Sequence, residues 1–186
     1  MKRFMLLLAF LISVGTSVWG QDDPVSSTSK TVNLNPTEEQ GETVTQGLTL
    51  AAALGDEANS ITELKITGPL TEADFATMKN DMPMLQVLDM SEVTALPKQG
   101  DYQTIPARAL EKNATIQKVI MPVCLESVGV NAFSECANLF EVDFSLASQL
   151  KWLDGFYNCR NLQSLDLSGK QYLQGISNSE FCNNLY

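Results

Sequence analysis

The chain reads as an α/β repeat solenoid with a parallel sheet on one face and short helices or turns on the other. Three observations carry this reading. Writing IPARALEKNATIQKVIMP, VGVNAFSECANLFEVDF and LDGFYNCRNLQSLDL one under another puts Asn113, Cys136 and Cys159 in one column and Ile116, Leu139 and Leu162 in another, a step of 23 residues. Within each unit the apolar residues fall as L-x-x-L-x-L, and the last two alternate with outward positions, which is the spacing of a strand with one buried face. Ahead of each strand a small residue precedes a large apolar one: Ala109 and Leu110, Ala132 and Phe133, Gly155 and Phe156. A tight arc there lets the small residue pass close to its neighbour while the large one fills the core. One such unit buries too little to stand alone, so stacking is required.

Taken in order, residues 1–20 have basic Lys2 and Arg3, an apolar run from Phe4 to Val14, and Gly20 before Gln21. That is the pattern of a secretory signal peptide, too short to span a membrane comfortably, so the mature form has no membrane span. The first cysteine is Cys124, which argues against a lipid anchor at the cut. Residues 21–47 are rich in Ser, Thr and Glu and read as a flexible polar tether. Residues 48–60 begin with LTLAAAL and a Gly55 stop, a short helix suited to an N-terminal cap. Residues 61–186 are the repeat array, its last repeat incomplete.

Five strands are readable in the array, on Ile61/Leu64/Ile66, Leu85/Leu88/Met90, Ile116/Val119/Met121, Leu139/Val142/Phe144 and Leu162/Leu165/Leu167, with steps of 24, 31, 23 and 23. Between the first two, Thr71 with Asp74 three residues on forms a capping box, and Leu70 is placed to staple against Phe75, predicting a helix over 72–79. The longer step holds PKQGDYQ at residues 97–103, an excursion out of the stack. A further unit begins at Cys182 and Leu185, one step beyond Cys159 and Leu162. That the chain is a truncated piece of a longer protein is one alternative reading, with self-association expected through an open C-terminal end.

These units resemble the BspA-like leucine-rich repeats of bacterial surface proteins, which run close to I-P-x-x-A-F-x-x-C-x-x-L-x-x-I-x-I-P. IPARALEKNATIQKVIMP and VGVNAFSECANLFEVDF match almost position for position. LDGFYNC is two residues shorter before its Cys, and Ser179 stands where Phe is expected. The resemblance implies a leucine-rich repeat protein, secreted or at the cell surface of a bacterium, acting in adhesion to host extracellular matrix proteins.

The chain carries 22 acidic and 12 basic residues and no histidine, with a net charge of −10. Removing Lys2 and Arg3 with the leader makes it −12, a surface that repels phosphate backbones and excludes nucleic acid as a partner. The missing histidine removes Ser-His-Asp and Cys-His catalysis and His-based zinc sites. Two S-x-x-K matches, Ser27 with Lys30 and Ser148 with Lys151, lack the companion motifs of penicillin-binding proteins. No catalytic residue, cofactor or metal is assigned.

The outward positions of the strands form a candidate binding face for a protein ligand: Glu63, Val87, Lys118, Glu141 and Ser164 in one row, Lys65, Asp89, Ile120, Asp143 and Asp166 in the next, with Phe140 alongside. Asp143 and Asp166 fall short of the six to eight oxygens calcium takes, and a solvated acidic pair is the reading preferred. Three cysteines share one column, where parallel side-chain directions disfavour a bridge, so buried unpaired thiols are expected, with Cys124 the exposed one. Trp152, Tyr157 and Tyr172 are read as packing residues ahead of sugar-stacking ones. A carbohydrate-binding or envelope-scaffold protein is the alternative function.

Overall fold

Strands form where inward apolar residues alternate with outward polar ones, and a computed structural model shows how they pair. It describes residues 27–36, 38–39, 42–43 and 48–177. The signal peptide read at residues 1–20 and the unfinished repeat holding Cys182 and Leu185 lie outside the described residues. The elements run β1 (Ser29–Asn33), β2 (Glu38–Glu39), β3 (Glu42–Thr43), α1 (Leu50–Leu54), a 3-10 turn (Gly55–Ser60), β4 (Glu63–Pro69), α2 (Glu72–Asn80), β5 (Val87–Ala95), β6 (Lys98–Gln99), β7 (Tyr102–Ile105), β8 (Lys118–Ile120), β9 (Ser127–Val128), β10 (Glu141–Asp143), β11 (Trp152–Asp154) and β12 (Gly175–Ser177).

The main sheet has the order β1-β4-β5-β8-β10 and is parallel throughout. Its register pairs Leu64 with Leu88, Leu88 with Val119 and Val119 with Val142, so residues one repeat apart occupy one buried row. This is a repeat fold. At the outer edge the same row continues onto Lys30, which pairs with Leu64 in the ladder yet is buried. Its ammonium is matched by Glu57 of the 3-10 turn. An inward-pointing charge is one of the ways proteins blunt a sheet edge.

The structure differs from the sequence reading in four places. Ser29–Asn33 fall inside the stretch read as a tether, but form β1, with Val32 and the following Leu34 buried. The short helix read as a cap is formed as α1, but it crosses from β1 to β4, and β1 is the sheet's outermost strand. The return side is more than helices and turns. It carries a second sheet of order β12-β11-β9-β7-β6, parallel except for the β6–β7 hairpin. Finally, the fifth strand read on Leu162/Leu165/Leu167 is not formed. Leu162 is buried, but Leu165 and Leu167 are only partly so.

The turns between sheets repeat as well. Lys112, Glu135 and Asn158, one step apart, all have left-handed backbone with φ of 64°, 61° and 58°. Successive turns are bonded to each other: the Leu110 N–H donates to the Ala132 carbonyl at 2.7 Å and the Phe133 N–H to the Gly155 carbonyl at 2.8 Å. The cysteine column belongs to this ladder. The Cys136 thiol donates to the Leu110 carbonyl at 3.0 Å and the Cys159 thiol to the Phe133 carbonyl at 3.1 Å. Both are buried and unbridged, and Cys124 is half-buried.

The capping box on α2 is present, and its acid does more than cap. Asp74, 2% exposed, accepts from the Thr71 N–H at 2.8 Å and its hydroxyl at 2.6 Å, and from the Leu50 N–H at the start of α1 at 2.7 Å. One carboxylate therefore ties both helices together. Asp74→Ala leaves buried donors without acceptors and is expected to cost about 3 kcal/mol in urea unfolding, against about 1 for Thr71→Ala.

Candidate functional site

Parallel register decides what the outward face can present. Glu63, Val87, Lys118 and Glu141 are direct ladder partners along one row, and Lys65, Asp89, Ile120 and Asp143 along the next. Eight of the ten residues read as a binding face are thus brought together. Ser164 and Asp166 are not in the ladder, because the strand that would carry them is not formed. Both are exposed.

Charge alternates across these rows. Lys65 lies 2.8 Å from Glu92 and 3.8 Å from Asp89, and Lys118 lies 2.7 Å from Glu141. The Glu92 carboxylate, followed by Asp89, holds the Lys65 ammonium above its ordinary pKa. Exposed pairs of this kind stabilise a fold by about 0–1 kcal/mol. They set the pattern of the surface without locking it, and a partner's charges can exchange with them. Val87 and Ile120 are half-buried beside the pairs, and Phe140 is exposed on the flank.

The outward aspartates have a second task that the sequence reading missed. Asp89, Asp143 and Asp166 each accept the backbone N–H two residues on, from Ser91 at 2.8 Å, Ser145 at 2.7 Å and Ser168 at 2.9 Å. The recurring D-x-S, as DMS, DFS and DLS, is the trace of this turn in the sequence. Asp143 and Asp166 also share a shallow hollow of about 280 Å3 with Lys170. Lys170 and Lys118 supply the positive charge near Asp143. Among the described residues no group of three or more His, Cys, Asp or Glu is placed to hold a metal.

These bonds fix the pH response. The Ser145 N–H holds Asp143 below the ordinary 3.8, the Ser168 hydroxyl does the same for Asp166, and the Lys151 ammonium, 2.6 Å away, holds Glu126 below 4.5. Depressed carboxylates give stability that is present above their ordinary pKa and lost as pH falls through the folded value. Burial pushes the Cys136 thiol from 9.0 up to about 12. A raised group gives stability present below its ordinary value and lost as pH rises toward the folded one. Urea midpoints are therefore expected to be flat between about pH 5 and 8.5, to fall below about 4 and to fall again above about 9. Cys136→Ala makes the alkaline limb shallower and leaves the acid limb unchanged; Cys124, also raised by burial, keeps part of the alkaline fall.

Three aromatic residues read as packing are instead exposed: Trp152 at 41%, Tyr157 at 40% and Tyr172 at 46%. Trp152 points outward from β11, and its ring lies over Gly175 of β12, where a Cβ would meet it at 2.7 Å. Of the S-x-x-K pairs, Lys30 is matched to Glu57 and Lys151 to Glu126. Lys151 also sits 4.9 Å over the Tyr102 ring, and Glu126 accepts the Gln103 N–H at 2.9 Å. Among the described residues no helix is long and apolar enough to cross a membrane.

Comparison with solved structures finds similarity to a leucine-rich repeat protein from Bacteroides ovatus, at 14% identity and a TM-score of 0.31. The match covers 83% of this chain and 46% of that one, so the chain spans less than half of its length. Comparison with curated proteins gave no match. A family model described as a BspA type leucine rich repeat region, in 6 copies, matches residues 91–186, more than half of the chain. With the repeat period, the shared inward row and the bonded turns, this match places the protein: the chain belongs to the BspA-type leucine-rich repeat family.

Proposed function

We propose that the protein is an exported, non-enzymatic binding protein whose main-sheet face recognises a protein partner at the bacterial surface. The observation that carries the reading is the pair of outward rows, Glu63/Val87/Lys118/Glu141 and Lys65/Asp89/Ile120/Asp143, set side by side by the ladder. They combine exchangeable ion pairs with half-buried apolar positions on one rigid surface, the mixture that protein interfaces use. The general role of the family in protein–protein interaction supports the same reading. We read the repeats as one continuous solenoid and the partner as a host extracellular protein, by analogy with surface adhesins of similar sequence. The test is a pull-down from host matrix extract with wild type and with Lys65→Glu plus Lys118→Glu. Captured proteins shared equally by both would refute a role for this face.

A second reading, glycan binding, is favoured by the exposure of Trp152, Tyr157 and Tyr172. Its test is a glycan array with Trp152→Ala and Tyr172→Ala. No bound glycan, or binding unchanged in the variants, dismisses it.

A further inference from the structure

Two features depart from the repeat, the long arc helix α2 and the β6–β7 hairpin, and they face each other across a cleft of about 430 Å3. Ligand sites occupy roughly 300–1,000 Å3, and this cleft falls within that range. Phe75 and Ala109 contribute to its floor, and its rim carries Lys79, Lys98 and Arg108 against the single carboxylate of Glu72. In a chain with 22 acidic and 12 basic residues that excess of cations is local and unusual.

The pairing of these cations differs. Lys79 is committed: it donates to the Arg108 carbonyl at 2.9 Å and lies 4.0 Å from Glu111, which pins the lip of the cleft to the helix. Lys98 and Arg108 have no such commitment. Among the described basic residues they alone make neither an ion pair within 4.0 Å nor a side-chain hydrogen bond. Both are exposed and both line this cleft. The wall beside them is β6, which among the described residues is the outermost strand of the second sheet, with a neighbour on one side only.

We propose that this cleft binds an extended acidic peptide segment of a partner protein. Lys98 and Arg108 pair with its carboxylates, the floor at Phe75 and Ala109 takes aliphatic carbon, and the free edge of β6 accepts an added strand. Charge complementarity selects an anion, and the strand edge selects a polypeptide over a small ion. The site lies apart from the main-sheet rows, and its partner segment is recognised independently of them.

The test is fluorescence anisotropy with a short labelled peptide of alternating Glu and Leu, and its Gln and Leu counterpart as control. Wild type is expected to bind the Glu peptide, with binding weakened by salt. Lys98→Glu with Arg108→Glu weakens it at least about tenfold, with circular dichroism and the urea midpoint unchanged because both side chains are exposed. Lys112→Glu, an exposed charge elsewhere, leaves it unaltered, as does Lys65→Glu with Lys118→Glu, which separates this site from the sheet face. The proposal is overturned if wild type does not bind the Glu peptide, if the Gln peptide binds as well, if the double variant binds like wild type, or if polygalacturonate binds more tightly than the peptide.

Discussion

Gly155→Ala is expected to cost at least about 4 kcal/mol in urea unfolding, a large part of the roughly 5–15 kcal/mol that holds a domain together. The reason is both conformational and steric. Gly155 has φ of +125°, a backbone state that L side chains rarely adopt. Its added Cβ would lie 2.7 Å from the Ala132 nitrogen and 2.8 Å from the Gly129 carbonyl oxygen. Those are backbone atoms of the preceding repeat, which cannot swing aside as a side-chain tip does. The Gly155 carbonyl also accepts the Phe133 N–H at 2.8 Å, so any displacement breaks the turn ladder. Gly169 supplies the control. It has φ of +73° but open space around its Cβ position, so Gly169→Ala pays only the conformational term of about 1–2 kcal/mol.

Phe156→Ala is expected to lose about 4 kcal/mol, within the range of about 3–5 for emptying a buried aromatic site. Phe156 stacks on Phe133 with centroids 5.3 Å apart and planes at 4°, and meets Phe144 edge-on at 6.3 Å and 79°. It joins the second-sheet side of the core to the Phe144 end of the main-sheet strand. Truncation removes these ring contacts and leaves a cavity bounded by bonded turns that cannot collapse. Phe156→Leu keeps most of the volume and is expected to lose only about 1.5 kcal/mol. Because Gly155 and Phe156 are adjacent, their combined effect is expected to be non-additive.

Four of the five main-sheet strands, β4, β5, β8 and β10, were legible because each puts two or three apolar residues on one side at fixed spacing, as in Leu88 and Met90 or Val142 and Phe144. The pairing of a small residue with a large one was legible for the same reason: Ala132 and Gly155 allow the close approach that Phe133 and Phe156 then fill. The second sheet was not. Its strands β9, β11 and β12 are two or three residues long; β9 and β11 each bury one residue, Val128 or Leu153, and β12 buries none, its Ile176 being exposed, too few to display a period. Strand β1 was hidden by Lys30, a charge at an inward site that makes sense only once Glu57 is seen beside it.

The candidate surface divides in the same way. The two outward rows follow from strand register alone and were readable up to Asp143. Ser164 and Asp166 were carried along by the pattern, although no ladder holds them. The D-x-S turns were present as a repeated triplet, whose meaning depends on knowing where each strand ends. The cleft between α2 and the hairpin was beyond reach, because it joins Lys98 and Arg108 to a separate helix upstream, Glu72–Asn80, through the fold alone.

The central claim is that residues one repeat apart occupy one row along a parallel ladder, which in turn places the outward face. Nuclear Overhauser contacts across the strands test it most directly. The account predicts backbone contacts linking Leu64 to Leu88, Leu88 to Val119 and Val119 to Val142, in a parallel pattern and with slowly exchanging amides. Contacts offset by one residue, or an antiparallel pattern between any of these strands, would contradict it.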